Sequence, residues 1–257
     1  MCTSVILFRK EHTWPLIIGS NRDENLSRKS KFPGRHWLKL YPQIIGGLDI
    51  KKGGSWIAIN DHGLVAIIHN RKLLKDNNLI KESRGQIILK LLSCNKIESA
   101  LESLHSTHQS IYNGFNIFLG NKSHCYWGKH ISVDKKIEVN ELNEGLSILT
   151  EKDLNDVTDK KTNFYLNKFS LAPTPEPSKN DWMSWELLLT MQNIENQNYP
   201  EEDICFVRKK NYYGTRSSSL IAISESFSIK QFKNHIIFLA TEHSPLISDF
   251  LDVELEC

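Results

Sequence analysis

Short apolar runs rich in β-branched residues recur along the chain, and polar or glycine-containing segments of a few residues separate them. Such runs favour sheet strands, and two runs that flank a short turn favour a β-hairpin. Three pairs of segments predict hairpins: 4–8 with 15–19, 55–59 with 64–68, and 115–119 with 124–127. No run approaches the roughly 20 apolar residues of a membrane-spanning helix, so we expect no membrane span.

Segments with helical spacing of apolar residues lie between these strands. Four of them predict amphipathic helices: 81–93, 96–104, 161–171 and 181–191. Four further segments predict strands: 146–149, 218–224, 226–232 and 236–241. This order predicts one α+β domain over residues 1–257, in which helices cover a mostly antiparallel sheet or a pair of sheets.

Charge and cysteine patterns exclude several classes of protein. The 32 basic and 30 acidic side chains give a formal net charge of +2, whereas a nucleic-acid-binding surface normally shows a clear basic excess. The apolar run at 4–8 follows no basic region and meets Arg9-Lys10-Glu11 at once, which does not fit a secretory signal and predicts a cytoplasmic protein. The five cysteines are scattered without a CxxC pair, so neither a disulfide framework nor a metal site is predicted.

Cys2 is a candidate nucleophile because removal of Met1 would leave it with a free α-amine. An α-amine titrates at about 7.7–8.0 and a thiol at about 8.5, so proton transfer between them is nearly isoenergetic at neutral pH. One residue would then hold nucleophile and base together. The first predicted hairpin places Cys2 opposite Asn21, to within one or two residues. The alternative is that Cys2 is a small apolar residue that begins a buried strand.

The polar run at residues 20–24 supplies the groups that such a nucleophile needs. The Asp23 carboxylate can accept hydrogen bonds from the ammonium of Cys2, and the Arg22 guanidinium can hold a thiolate or a substrate oxygen. The same run is also typical of a solvated turn or of a helix N-cap.

Other candidate residues have two interpretations. Trp56 is either a core aromatic or a wall of a substrate pocket. Arg216 either directs its guanidinium at an oxyanion or marks an exposed strand end. His62 and His69 are interpreted as surface or turn histidines, because none of the histidines has metal-ligand spacing.

The run Asn21-Arg22-Asp23-Glu24, after a hairpin that Met1-Cys2 opens, resembles the signature of the NRDE family, also called the transport and Golgi organization protein 2 family. Supporting matches are spread over the whole length of the chain. They lie at residues 53–56, 63–70, 83–85, 115–116 and 213–218. Each match is short, but their combination is specific.

That family resembles the cysteine branch of the N-terminal nucleophile (Ntn) hydrolases, whose fold is a four-layer αββα sandwich. The resemblance implies that Cys2 attacks an amide, that Asp23 holds the new α-amine, and that Asn70 lines the oxyanion hole. Two positions depart from the acylase pattern. Ser20 stands where the acylases carry an arginine, and Glu151 stands near the place of their second oxyanion asparagine.

The leading hypothesis is therefore a cytoplasmic amidohydrolase that cleaves a non-peptide C–N bond through an acyl-cysteine at Cys2. Arg22 and Arg216 are predicted to assist catalysis by positioning polar groups, and Asn21 and Trp56 are predicted to contact the small-molecule amide or acyl substrate. No cofactor is needed for this chemistry. The rival hypothesis is a non-catalytic carrier of haem or an acyl lipid with a deep apolar pocket, and a structural or interaction protein is a third. The oligomeric state is not indicated.

Overall fold

The computed structural model describes residues 2–76, 81–192, 202–208 and 210–256. The strands are β1 (Thr3–Phe8), β2 (Leu16–Asn25), β3 (Ser30–Gly34), β4 (Ile44–Asp49), β5 (Ile57–Asn60), β6 (Val65–Asn70), β7 (Phe115–Gly120), β8 (Cys125–His130), β9 (Glu138–Glu141), β10 (Gly145–Leu149), β11 (Val207–Arg208), β12 (Tyr213–Ile223), β13 (Ile236–Ala240) and β14 (Leu251–Asp252). The helices are α1 (Gly85–Leu92), α2 (Ile97–His105), α3 (Lys160–Leu171), α4 (Met183–Leu189) and α5 (Phe232–His235).

Within these described residues the strands form two antiparallel sheets of seven strands each. In the first sheet the order is β10-β1-β2-β12-β13-β14, and β11 pairs with β12. The second sheet runs in sequence order from β3 to β9, as expected for consecutive hairpins. Along the described strands the chain therefore passes between the sheets twice, from β2 to β3 and from β9 to β10.

Both faces of each sheet are covered at its centre, which is why the central strands are nearly continuous apolar runs. Ile6 and Phe8 of β1 pack between the two sheets, whereas Val5 and Leu7 pack under α3 and α4. Alternate residues of a strand point to opposite faces, so a strand that is buried on both sides needs apolar residues at every position. The result is a layered core with one sheet packed against the other.

The helices lie on the outer faces of the sheets. Buried residues of α1 and α2 pack against β4, β6 and β7 of the second sheet. Buried residues of α3 and α4 pack against β1, β2 and β12 of the first sheet. The Asp159 side chain caps α3 by accepting a hydrogen bond from the Thr162 backbone N–H at 3.0 Å, which satisfies one free donor at the helix start. The layers are thus α, β, β, α, as the family resemblance implies.

Most of the predicted elements are confirmed. The three hairpins correspond to β1–β2, β5–β6 and β7–β8, and the four predicted helices to α1, α2, α3 and α4. In the first hairpin Thr3 lies opposite Asn21, so the predicted register is correct to within one residue. No helix among the described residues is long and apolar enough to cross a membrane.

One predicted strand and one alternative interpretation are wrong. The segment 226–232 is not a strand but a short 3-10 turn, Ile229–Gln231, that leads into α5. Its apolar residues do not share one sheet face, because Ile229 is exposed while Phe232 inserts into the core between the sheets. The run 20–24 is neither a turn nor a helix cap, since β2 continues through it and Ser20 to Asp23 are buried.

Candidate active site

The ends of three neighbouring strands meet at one edge of the first sheet. Cys2 precedes β1, Arg22 and Asp23 lie near the end of β2, and Tyr213 begins β12. Because these strands are antiparallel neighbours, the start of β1, the end of β2 and the start of β12 lie side by side. A cavity of about 360 Å³ opens at this edge.

The opposite wall of the cavity belongs to the second sheet and to the start of α1. It includes Trp56, which precedes β5, together with Asn70 at the end of β6. Residues Ser83, Arg84 and Gly85, at the start of α1, complete this wall. Most residues around the cavity are polar or charged.

The Cys2 thiol lies in this cavity and is held against the backbone of Asp23. Asp23 N–H points at Sγ of Cys2 at 3.3 Å, and the thiol lies 3.5 Å from the carbonyl oxygen of Asp23. Burial, and after it the Asp23 carboxylate, raise the pKa of Cys2, whereas Arg22 acts in the opposite direction. As long as no further positive charge is added, this thiol is protonated at neutral pH.

The Asp23 carboxylate is fixed from β12. Thr215 Oγ1 donates a hydrogen bond to Oδ1 of Asp23 at 2.7 Å in a buried position. The Tyr213 hydroxyl donates to the carbonyl oxygen of Asp23 at 3.0 Å, and burial raises the pKa of Tyr213, so that this hydroxyl stays protonated. Thr215 and Tyr213 therefore hold both the side chain and the backbone of Asp23 beside Cys2.

Arg22 is stacked on Trp56. Its guanidinium carbon lies 3.9 Å from the centroid of the Trp56 ring, and the residue is only 5% exposed. Burial lowers the pKa of Arg22, but a guanidinium keeps its charge at neutral pH. Trp56 is thus a wall of the cavity and also packs against the core between the sheets, so both interpretations of this residue hold.

Behind Cys2 a buried chain of hydrogen bonds joins the two sheets. Ser4 Oγ lies 2.8 Å from Ser20 Oγ and 2.9 Å from Nε2 of His69. His69 is 2% exposed, and burial lowers the pKa of His69 to about 4, so it is neutral at pH 7. The interpretation of His69 as a surface or turn histidine is wrong, whereas His62 does lie in the turn between β5 and β6.

Two of the predicted site residues lie outside the cavity wall. The Asn21 side chain faces away from it, donates to the carbonyl oxygens of Leu189 and Ile204, and accepts a hydrogen bond from Ser218. This arrangement ties β2 to α4 and leaves no group of Asn21 for a substrate. Arg216 is partly exposed, and its side chain contacts His243 at 3.2 Å.

A β-bulge explains the position of Arg216. Thr215 pairs with Asp23 and Ser217 pairs with Arg22, so Arg216 is an extra residue between two paired ones.

Glu151 also lies outside the cavity wall. The Asn116 amide donates to the carbonyl oxygens on either side of Glu151, those of Thr150 and Lys152, at 2.8 and 2.5 Å.

Sequence reasoning missed four residues that build the site: His69, Arg84, Tyr213 and Thr215. A signal for His69 was present, because Val65 and Ile67 precede it at two-residue spacing and both face the core between the sheets. The other three lie in the segments 83–85 and 213–218 that resemble the family, but their roles depend on the pairing of β12 with β2 and on the approach of α1, which are tertiary features.

Across the described ranges, no cluster of three or more His, Cys, Asp or Glu side chains is arranged to hold a metal ion. Cys94, Cys125 and Cys205 are free thiols, and burial raises the pKa of Cys205 to about 12. Cys257 and Met1 lie outside the described residues.

Comparison with solved structures supports the fold. A mutant of the conjugated bile acid hydrolase from Clostridium perfringens matches with a TM-score of 0.53 and 12% identity, over 98% of this chain and 92% of that one. The Caenorhabditis elegans N-acylethanolamine-hydrolyzing acid amidase (NAAA) ortholog matches with a TM-score of 0.52 and 12% identity, over 91% of this chain and 98% of that one. At this identity the likeness concerns the fold, which is that of the Ntn hydrolases.

Comparison of sequences is more specific. The Homo sapiens Transport and Golgi organization protein 2 homolog is 29% identical over 127 residues. That alignment covers 46% of this chain and 45% of the human protein, so it spans a little under half of each. The sequence model of Transport and Golgi organisation 2 matches residues 1–236. With the motif at 21–24 on the edge of the cavity and this match over most of its length, the chain belongs to the Transport and Golgi organisation 2 family.

Proposed function

We propose that the protein is an Ntn-type amidohydrolase that cleaves a non-peptide amide through an acyl-cysteine at Cys2, after removal of Met1. The observation that carries this proposal is the position of the Cys2 thiol. It lies in a cavity, against the backbone of an Asp23 whose carboxylate is fixed by Thr215. Such a fixed carboxylate is what an N-terminal ammonium needs for orientation.

In the proposed reaction, Sγ of Cys2 attacks the amide carbonyl carbon, and the thiol proton passes to the α-amine of the same residue. The C–N bond then breaks, and the ammonium returns the proton to the leaving amine. Water attacks the thioester with the α-amine as base, the C–S bond breaks, and a carboxylic acid leaves. The thiol proton therefore leaves with the amine in the first half, and a proton from water restores the thiol in the second half, so the cycle balances.

Other residues of the cavity have supporting roles in this proposal. The Asn70 amide, exposed at the end of β6, would donate to the oxyanion of the tetrahedral intermediate. The positive charges of Arg22 and Arg84 act on Cys2, and both would favour a thiolate or an oxyanion there. The Ser20 hydroxyl is hydrogen-bonded to Ser4 and cannot replace the acylase arginine. Arg22 lies on the same face of β2.

The structural neighbours support this class of substrate. One is a conjugated bile acid hydrolase and another is an N-acylethanolamine-hydrolyzing acid amidase, both named for substrates that contain an acyl amide. The cavity of this chain is bordered by Arg22, Asp23, Glu24, Lys81 and Arg84, and a lining so rich in charge favours a polar amide over haem or an acyl lipid. A cytoplasmic location remains part of the proposal.

The test begins with the intact mass of a form that has a native N-terminus. We expect Met1 to be absent, and we expect iodoacetamide at neutral pH to label Cys2 faster than Cys94. Cys94 is the internal control, because it is also partly exposed. Removal of Met1 moves the α-ammonium onto Cys2 itself, next to the thiol, which lowers the pKa of the thiol further.

A matched form that keeps Met1 is the control for the effect of a free α-amine on Cys2. Burial and Asp23 raise the pKa of Cys2 in that form, so its labelling should be slow. Retention of Met1 by the native chain, or equal labelling rates for Cys2 and Cys94 in the processed form, would contradict the mechanism.

A screen with small acyl amides then tests the role of Asn70. Loss of an oxyanion donor typically lowers turnover about a hundredfold or more, so we expect this loss for Asn70→Ala. Asn140→Ala is the control, since Asn140 is exposed on the edge strand β9, away from the cavity. If Asn70→Ala and Asn140→Ala turn over an amide equally well, Asn70 does not bind the oxyanion.

A further inference from the structure

Arg22 is a buried cation without a protein acceptor. Among the described residues no oxygen accepts a hydrogen bond from its guanidinium, and its Nη1 atom is fully covered. Only 5% of Arg22 is exposed, and the residue borders the cavity that contains Cys2. Buried polar groups are normally hydrogen-bonded, because an unmade bond leaves the desolvation cost uncompensated.

Stacking fixes the plane of this guanidinium. The Trp56 ring covers one face of it at 3.9 Å, which leaves the N–H edges as the part of Arg22 that can meet a ligand. Gly47 allows this arrangement, since a Cβ atom at residue 47 would lie 2.2 Å from the Trp56 ring. The chain therefore holds Arg22 in one orientation before any ligand arrives.

Arg84 brings a second guanidinium to the same cavity. Its Nη1 donates to the carbonyl oxygen of Gly114 at 2.8 Å, which anchors one nitrogen, and the residue borders the cavity. Burial lowers the pKa of Arg84, and Cys2 is the first of the charged groups that act on it. Arg22 and Arg84 thus belong to one electrostatic environment around the nucleophile.

The other cations of the cavity are mostly neutralised by carboxylates. Arg28 donates to both oxygens of Asp49, at 3.2 and 2.5 Å, and Lys81 lies 2.7 Å from Asp76. Within the described residues Arg22 and Arg84 have no carboxylate within ion-pair distance. Lys52 also borders the cavity, but it is exposed to solvent, so the buried positive charge that remains available to a ligand is concentrated on Arg22 and Arg84.

We infer that the amide substrate carries an oxyanion group, a carboxylate or a phosphate, that Arg22 and Arg84 bind together. Two guanidiniums with N–H groups in fixed orientation match an oxyanion, whose oxygens accept several charge-assisted hydrogen bonds. The cavity of about 360 Å³ suits a small ligand of this kind. That the bound amide is a substrate rests on the proposed function. The preference of the cavity for an anionic ligand can be measured without turnover.

The test uses calorimetry on full-length Cys2→Ala protein with three probes. These are N-butanoylglycine, N-butanoyl-aminomethylphosphonate and the uncharged N-butanoylglycinamide. We expect at least one acidic probe to bind about tenfold or more tightly than the uncharged one, since charge-assisted hydrogen bonds exceed neutral ones by that order. The two acidic probes distinguish a carboxylate site from a phosphate site.

Three variants in the same background locate the preference. Arg22→Met and Arg84→Met should reduce it to about twofold or less, whereas Arg9→Met should keep it. Arg9 is a suitable control, since it is a partly buried arginine in the β1–β2 turn, at the opposite end of the hairpin. Methionine retains much of the packing of the arginine stem, and the comparison of probes on Cys2→Ala protein alone does not depend on how any arginine variant folds.

The outcomes separate this inference from the proposed function. Equal affinity for charged and uncharged probes, or no binding of any probe, would overturn the inference. A binding preference that depends on both arginines, together with no hydrolysis of the probes by protein that retains Cys2, would support the inference and count against the amidohydrolase. Equal hydrolysis of charged and uncharged probes would support the amidohydrolase and refute the oxyanion site.

Discussion

Arg22 and Arg216 lie on paired strands, in similar polar runs, yet they have opposite environments. Arg22 is 5% exposed, stacked on Trp56 and directed at the cavity. Arg216 is partly exposed, contacts His243 and lies outside the cavity wall. Both were predicted from sequence to position polar groups of a substrate, and only Arg22 is in place to do so.

The difference comes from one extra residue in β12. On β2 the side chains alternate between the two faces of the sheet without interruption. Leu16, Ile18, Ser20 and Arg22 therefore all face the space between the sheets. On β12 the bulge at Arg216 interrupts the pairing. The bulge places Thr215 directly opposite Asp23 and leaves Arg216 unpaired, which shows that register, rather than residue type, decides which arginine reaches the site.

The largest expected effect concerns His69, which ties the Arg22 face of β2 to the second sheet through Ser4 and Ser20. The pKa of His69 is about 4 in the folded chain against an ordinary 6.5, so the unfolded chain binds more protons between these values. Stability should therefore be fully present above about pH 6.5 and fall by about 3 kcal/mol as the pH drops to about 4.

The measurement for His69 is urea unfolding across pH 4–7 on the native chain and on His69→Gln. In His69→Gln the free energy of unfolding should depend less on pH, because the contribution of His69 is absent. His62→Gln is the control, because His62 lies in the β5–β6 turn. Identical slopes for His69→Gln and the native chain would mean that His69 is not held neutral by burial.

The next effect tests the stack that orients Arg22. A Cβ atom at residue 47 would lie 2.2 Å from the Trp56 ring, so Gly47→Ala should displace Trp56 and destabilise the fold by about 2–3 kcal/mol. Gly34→Ala is a suitable control, since the closest atom to its Cβ belongs to His36 at 3.6 Å. Thermal unfolding measures both variants, and equal melting temperatures would show that Trp56 is free to move.

A somewhat smaller effect tests the function of the bulge. Thr215→Val removes the hydroxyl that donates to Oδ1 of Asp23 and should cost about 2 kcal/mol, because it leaves a buried acceptor without that donor. Ser217→Ala, on the other side of the bulge, should cost less than about 1 kcal/mol, because among the described residues Oγ of Ser217 has no hydrogen-bond partner. Denaturant unfolding that gives similar values for the two variants would contradict this division of roles.

Much of the fold was predictable because the hairpins and helices depend on local patterns. The strands are buried on both faces, so their apolar runs are long and their turns are marked by residues such as those at 60–63. The segment 226–232 was not predictable in this way, since its serines and apolar residues alternate as in a strand but Ile229 remains outside the core. A two-residue period cannot reveal that the chain leaves the sheet there.

The candidate site was predictable only where it depends on one hairpin. The proximity of Cys2 to Arg22 and Asp23 follows from the β1–β2 register, and Asn70 was found through the family resemblance. The bulge at Arg216 and the approach of Arg84 depend on contacts between distant segments. No local pattern marks these contacts, which explains why Arg216 was misplaced and Arg84 was not singled out.

The smallest effect is the most direct test of the comparison between the two arginines. In processed protein, Arg22→Gln should slow iodoacetamide labelling of Cys2 about threefold at neutral pH, because loss of a nearby cation raises the pKa of the thiol and lowers the thiolate fraction. The direction follows from the charge of Arg22, which lowers the pKa of Cys2 against the larger effects of burial and Asp23. Arg216→Gln should leave the rate unchanged, since Arg216 is not among the charges that act on Cys2. A slower rate in Arg216→Gln than in Arg22→Gln would mean that the bulge does not separate β12 from the site, and the assignment of Arg22 as the pocket arginine would be wrong.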